Sequence, residues 1–120
     1  MVTTQEKALK AYTAIGKVRN KVKGKAALAL YKLKRELQVN IDYQVEEEKK
    51  LVEEYGGIIN DRGFIEIQDA DKRAEFAKAY AELNATECSI DSEPVTVNMD
   101  NCPDITLEEI ESLAGFVNFE

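Results

Sequence analysis

Glu46, Glu47 and Glu48, followed by Glu53 and Glu54, form the densest run of ionisable side chains in this sequence, and such a cluster can bind a cation. Three successive residues of a helix fan out over most of a turn, however, so their carboxylates do not converge on one ion. The pattern predicts a solvated acidic face, paired in part with Lys49 and Lys50. Asp69-x-Asp71 has the opening of a calcium loop, but Arg73 stands at the third ligand position and the loop glycine is missing. We read that pair as a helix cap. Asp91, Glu93, Asp100 and Asp104 fall on or near loops and offer at most a loose cation site. No metal centre is expected.

A second chemistry belongs to the cations. Lys17, Arg19, Lys21, Lys23 and Lys25 alternate with Val18, Asn20, Val22 and Gly24, a pattern that could track a nucleic-acid backbone. Single-strand binders add exposed aromatic rings for stacking. The nearest rings, Tyr12 and Tyr31, stand at helical spacings that suit a core or its rim. A solvated connection between two helices is the plainer reading of the strip. A third chemistry is capture of a small anionic ligand near Tyr31, Arg35 and Arg62, in a pocket at a subunit interface.

Catalysis finds no equipment. The chain has no histidine, which removes the commonest general base and the commonest transition-metal ligand. Cys88 and Cys102 alone cannot build a structural zinc site, and two cysteines in 120 residues do not make a disulfide scaffold. Free thiols are expected. Asn84-Ala-Thr86 matches a glycosylation acceptor, but no export signal precedes it. Gly56-Gly57 lacks the following helix of a phosphate-binding loop. Neither an enzyme nor a cofactor is expected.

Charge divides the chain sharply. Met1–Gln38 holds ten basic and two acidic residues, a net of +8, whereas Val39–Glu120 carries −15. The basic part can pack beside the acidic part, or an acidic face can meet a basic partner. No apolar run reaches the length of a membrane span, and a cytoplasmic, soluble protein without membrane contact is expected.

The elements that must position these groups are mostly helices. Thr3-x-x-Glu6 is a capping box opening a first helix over about 4–18. From Lys25 to Tyr55 there is neither proline nor glycine, and Leu30, Leu33, Leu37, Ile41, Val45, Val52 and Tyr55 recur with the helical period. Such a helix spans roughly 45 Å and should act as a spine. Gly56-Gly57 ends it, and Ile58-Ile59, the turn Asn60–Gly63, and Phe64–Ile67 read as a β-hairpin. Asp69 or Asp71 caps a third helix striped by Phe76, Ala77, Tyr80 and Leu83. Pro94–Met99 alternates as a strand able to pair with the hairpin. Thr106-x-x-Glu109 is a second capping box, opening a short helix that stops near Gly115 and leaves Phe116, Val117 and Phe119 to dock or to bind.

These elements predict one domain over 1–120, α+β and predominantly α. A long central helix carries antiparallel helices, with a β-hairpin or three-stranded antiparallel sheet at its far end. The order of elements resembles a family of small proteins of tailed phages and prophages. The resemblance is carried by Tyr31-x-Leu33-Lys-Arg-x-Leu37, Leu51-Val-Glu-Glu-Tyr55-Gly56, Glu75-Phe76-x-x-Ala-Tyr80-x-Glu82-Leu83 and Asp104-Ile-Thr-Leu-x-x-Ile110-x-x-Leu113. It implies a phage origin and the host cytoplasm, and it supplies no catalytic residue. The expectation is therefore a non-enzymatic accessory protein that binds a host or phage protein stoichiometrically, as a defence inhibitor or an assembly helper. Its contact residues would be Glu46, Glu47, Glu53 and Glu54. The nucleic-acid strip and the small-ligand site stand as alternatives, and the long apolar stripe would suit a homodimer.

Overall fold

A computed structural model describes all of residues 1–120. The first helix, α1 (Gln5–Val18), is capped by Thr4, whose hydroxyl accepts from the Lys7 amide at 3.4 Å. Thr3 was expected in that role. It is instead part of a short strand, β1 (Val2–Thr4), whose extended backbone moves the cap one residue on. Gly24, at φ +73°, turns the chain into α2 (Lys25–Glu54).

The spine runs as the period predicts, and its two halves carry different partners. Tyr12 donates to Gln38 at 2.6 Å and Asn40 donates to Gln5 at 3.3 Å, which sets α1 antiparallel to the front half. Beyond it come β2 (Ile58–Ile59), β3 (Ile65–Glu66) and α3 (Ala70–Asn84). Gln44 donates to Asn84 at 2.9 Å and Tyr55 meets Phe76 edge-on at 6.3 Å, so α3 returns antiparallel along the back half.

The apolar stripe holds through Leu30, Leu33 and Leu37, which are buried, then changes. Gln44, only 3 % exposed, takes the inward position expected of Val45, which is 44 % exposed. The inward face continues at Val52.

The sheet expectation needs correction. There is no three-stranded sheet but three two-stranded pairs. β2 and β3 form the expected antiparallel hairpin, Ile59 opposite Ile65. β1 pairs antiparallel with β4 (Glu87–Ser89). β5 (Val95–Val97) leaves the hairpin alone and runs parallel to β6 (Val117–Phe119). The reason lies in α4 (Leu107–Ser112), whose Thr106–Glu109 capping box forms as the sequence predicts and whose exit at Gly115, φ +86°, brings the chain end back to β5. Phe116 and Val117 are consequently buried rather than left free to dock.

One cluster of fifteen buried side chains forms the core, drawn from Ala8–Leu37 and Ile90–Val117. Between these two stretches only Cys88, half-buried, packs against it. The molecule is thus a packed body at one end and a thinner distal lobe at the other, 52 × 28 × 20 Å in extent. No helix is long and apolar enough to cross a membrane.

Candidate functional site

The distal lobe, Val39–Ala85, is held by aromatic and polar contacts beside three buried aliphatic side chains, Val52, Ile67 and Leu83. Phe76 stacks on Tyr80 at 5.9 Å and meets Tyr55 edge-on. Tyr80 donates its hydroxyl to Glu48 at 2.9 Å, and Gln44 donates to Glu48 as well as to Asn84. The Gln44 carbonyl oxygen is buried without a partner. Burial first, then the Glu48 carboxylate, pushes the Tyr80 phenol above its ordinary range. Tyr55 is raised by burial, then by Glu54, Glu75 and Glu82. Carboxylates therefore surround the aromatic ladder.

Local chemistry holds the hairpin to this ladder. Gly57 lies where an added Cβ would stand 3.0 Å from Ile67 Cγ1 and 3.3 Å from the Glu66 carbonyl oxygen, so only glycine lets the two segments approach. The Asn60 side chain accepts from the Arg62 and Phe64 amides at 2.9 and 3.0 Å and fixes the turn. Asp69 caps α3 by accepting from Asp71 and Lys72, which settles the choice between the two aspartates. Arg73 donates back to the Ile67 carbonyl at 3.0 Å.

What this scaffold presents is apolar. Ile58, Ile59 and Phe64 are 59, 57 and 65 % exposed, and α3 buries Leu83 alone in fifteen residues. Between β3 and α3 lies an open groove of about 730 Å³, with Ile65 and Ile67 on one wall and Phe76, Ala77 and Tyr80 on the other. Its size is that of ordinary ligand sites.

None of Glu46, Glu47, Glu53 and Glu54 lines that groove; all four stand on α2. Glu46 and Glu53 are exposed and seven residues apart, hence on one stripe of α2; Glu47, half-buried, and Glu54, exposed, have the same spacing on the next. Glu47 pairs with Lys50 at 3.1 Å, and Glu48 turns inward to Tyr80. Nowhere do three carboxylate or thiol groups come together closely enough to hold a metal ion, so Asp91, Glu93, Asp100 and Asp104 form no cluster. The Asp91–Ser92 backbone is held instead by Glu36, whose carboxylate accepts from both amides.

The basic strip is dispersed. Lys21 is paired with Glu109 at 2.7 Å, while Lys17 faces the groove beside α4. Lys23 and Lys25 border Asn98, Asn101 and Glu120. Arg19 alone reaches the α1–α2 groove of about 390 Å³ that Tyr12, Tyr31, Lys34 and Arg35 line. There Lys34 sits 5.1 Å above the Tyr12 ring and Arg35 6.0 Å from that of Tyr31, and none of the three cations has a carboxylate within ion-pair distance. Tyr31 and Arg35 are thus neighbours as expected, but Arg62 is on the hairpin turn at the far end.

Sequence reasoning missed the β3–α3 groove. Its signal was present: Phe64–Ile67 and Phe76–Tyr80 are apolar runs with too little chain around them to bury both. No protein family, curated protein or solved structure matches this chain.

Proposed function

We propose that this chain acts without chemistry of its own, by holding a second protein on its distal lobe. The observation that carries this reading is the lobe's exposed apolar hairpin, Ile58, Ile59 and Phe64, set on a segment with twelve acidic and six basic residues. The register sets Ile59 with Ile65 on one face of the hairpin and Ile58 with Phe64 on the other, and exposed apolar surface rimmed by charge marks interaction sites. Its partner would be a protein surface that is apolar at its centre and basic at its margin, since complementary potentials steer association. A phage accessory role fits such a binder, either blocking a basic groove built for nucleic acid or helping a virion assemble.

Affinity capture from host lysate, with and without nuclease, tests the reading. A defined protein should be retained after nuclease treatment and lost when Glu46, Glu47, Glu53 and Glu54 are all changed to lysine. Retention by that variant equal to wild type removes the acidic face from the interface.

A second reading is favoured by the three unpaired cations around Tyr12 and Tyr31. The α1–α2 groove would take a small anion bearing an aromatic ring, such as a nucleotide. Adenosine diphosphate should then raise the melting temperature by mass action, and Arg35→Ala should abolish the rise. A melting temperature indifferent to nucleotide up to millimolar concentration eliminates this site.

A further inference from the structure

We infer that the groove between β3 and α3 takes an extended, basic peptide segment of the partner protein by strand addition to β3. This rests on the protein-binding reading of the distal lobe and specifies how that lobe binds.

The backbone pattern of the hairpin supplies the first argument. The Asn60 amide donates to the Phe64 carbonyl at 2.8 Å. Hydrogen-bonded and non-hydrogen-bonded pairs alternate along an antiparallel ladder. The next pair, Ile59 with Ile65, is therefore the non-bonded kind. Its amides and carbonyls point away from each other, toward the two outer edges of the hairpin. Ile67, two residues beyond Ile65, repeats that orientation, and its carbonyl is taken by Arg73 from α3 at 3.0 Å. The outer edge of β3 thus faces α3, and Ile65 offers its amide and carbonyl into the groove between them.

Natural edge strands are usually guarded by lysine, proline or a covering element. Between Gly57 and Asp69 there is neither lysine nor proline, and the covering helix stands off behind the groove. An extended segment laid beside Ile65 would restore the missing ladder bonds. Its alternate side chains, on the period of two, would rest on Phe76, Ala77 and Tyr80. The groove thereby selects alternation, not mere hydrophobicity.

Charge chooses among such segments. Glu48 meets Tyr80 on the groove wall, while Glu66 borders the groove and turns its carboxylate to Asn60 on the opposite face of the hairpin. The charges of Glu54, Glu75 and Glu82 also bear on Tyr55, which packs on Phe76. The one cation on the wall, Arg73, is committed to the Ile67 and Gln68 carbonyls. A segment alternating aliphatic with lysine or arginine residues would satisfy both the floor and the rim.

The test uses the full chain and a bead-displayed library of eight-residue peptides alternating aliphatic with basic positions, beside scrambles of identical composition. Alternating peptides should be enriched at least tenfold over their scrambles. N-methylation of a selected peptide at one alternate set of amides should weaken binding at least tenfold, and at the other set should leave it unchanged. The Ile65 amide should gain at least tenfold protection from hydrogen exchange on binding. Ala77→Arg, which sets a cation on the groove floor at an exposed helical position that does not threaten folding, should abolish capture. Equal enrichment of scrambles, indifference to both methylated sets, or an unprotected Ile65 amide would overturn strand addition. Retention of a host protein that depends on the four glutamates, together with any of those three results, leaves the lobe a binding surface and removes only this mode.

Discussion

Lys21 and Glu109 illustrate how side chains that read as one strip acquire separate tasks. The glutamate closes the α4 capping box and accepts the Lys21 ammonium at 2.7 Å. Lys21 holds its carboxyl below the ordinary range, against the opposing effect of burial, and Thr106 adds to the lowering. Because the folded-state value is depressed, the stabilising contribution is fully present above the unfolded value of 4.5 and is lost as pH falls through the lower folded one. Glu36 is shifted in the same direction, its burial outweighed by hydrogen bonds from Ser92 and Asp91. Urea denaturation should therefore show stability declining below about pH 4.5. In Glu109→Gln the decline should be shallower, and at pH 7 the variant should be less stable by about 1–3 kcal/mol. An equally steep acid limb in both proteins would show that Glu109 is not a source of it. The Thr106–Glu109 box was legible because its spacing is local. Lys21 as its partner was not, because 88 residues separate the pair.

At the scale of elements, local signals read well and long-range ones did not. The helical period located α2 within one residue at its end, and Asn60–Gly63 located the hairpin turn, since both depend on neighbours along the chain. β5 was legible as the alternating stretch Pro94–Met99, though its partner was not, whereas β1, β4 and β6 are three-residue strands joined across the fold, too short for alternation to announce them. Val45 was misplaced for a related reason: α3 approaches α2 through Asn84 and Tyr80, so polar Gln44 turns inward where the apolar period pointed elsewhere. A helix that buries one side chain depends heavily on its cap and on its hydrogen bonds to α2 through Asn84 and Tyr80. Asp69→Ala should remove the Oδ1 that accepts from two backbone amides and destabilise α3 by about 1 kcal/mol. The loss should appear as faster hydrogen exchange in α3 with α1 unaffected. Uniform acceleration of both helices would mean that α3 does not open on its own.

The whole molecule has a radius of gyration of 16.9 Å, against roughly 14 Å for a compact chain of this length. The excess is the lobe, whose buried apolar side chains, Val52, Ile67 and Leu83, lie outside the fifteen-residue cluster. Stability should accordingly be unequal along the chain. Leu33→Ala cuts the main cluster and should lower global stability by about 2–5 kcal/mol. Leu83→Ala should instead lower the free energy of opening only for amides between Val39 and Ala85, leaving those of α1 and β5 near the wild-type value. Native-state hydrogen exchange at graded denaturant separates the two cases, because subglobal opening appears as a group of amides merging with the global isotherm late. A peptide seated on β3 would bind the closed lobe and not the open one. It should therefore raise the opening free energy of the lobe by mass action while leaving the body unchanged. The lobe's low stability would then serve its function, since a loosely held groove adjusts to its segment at little cost to the packed end. If Leu83→Ala and Leu33→Ala shift every amide alike, body and lobe form one cooperative unit and that division of labour is wrong.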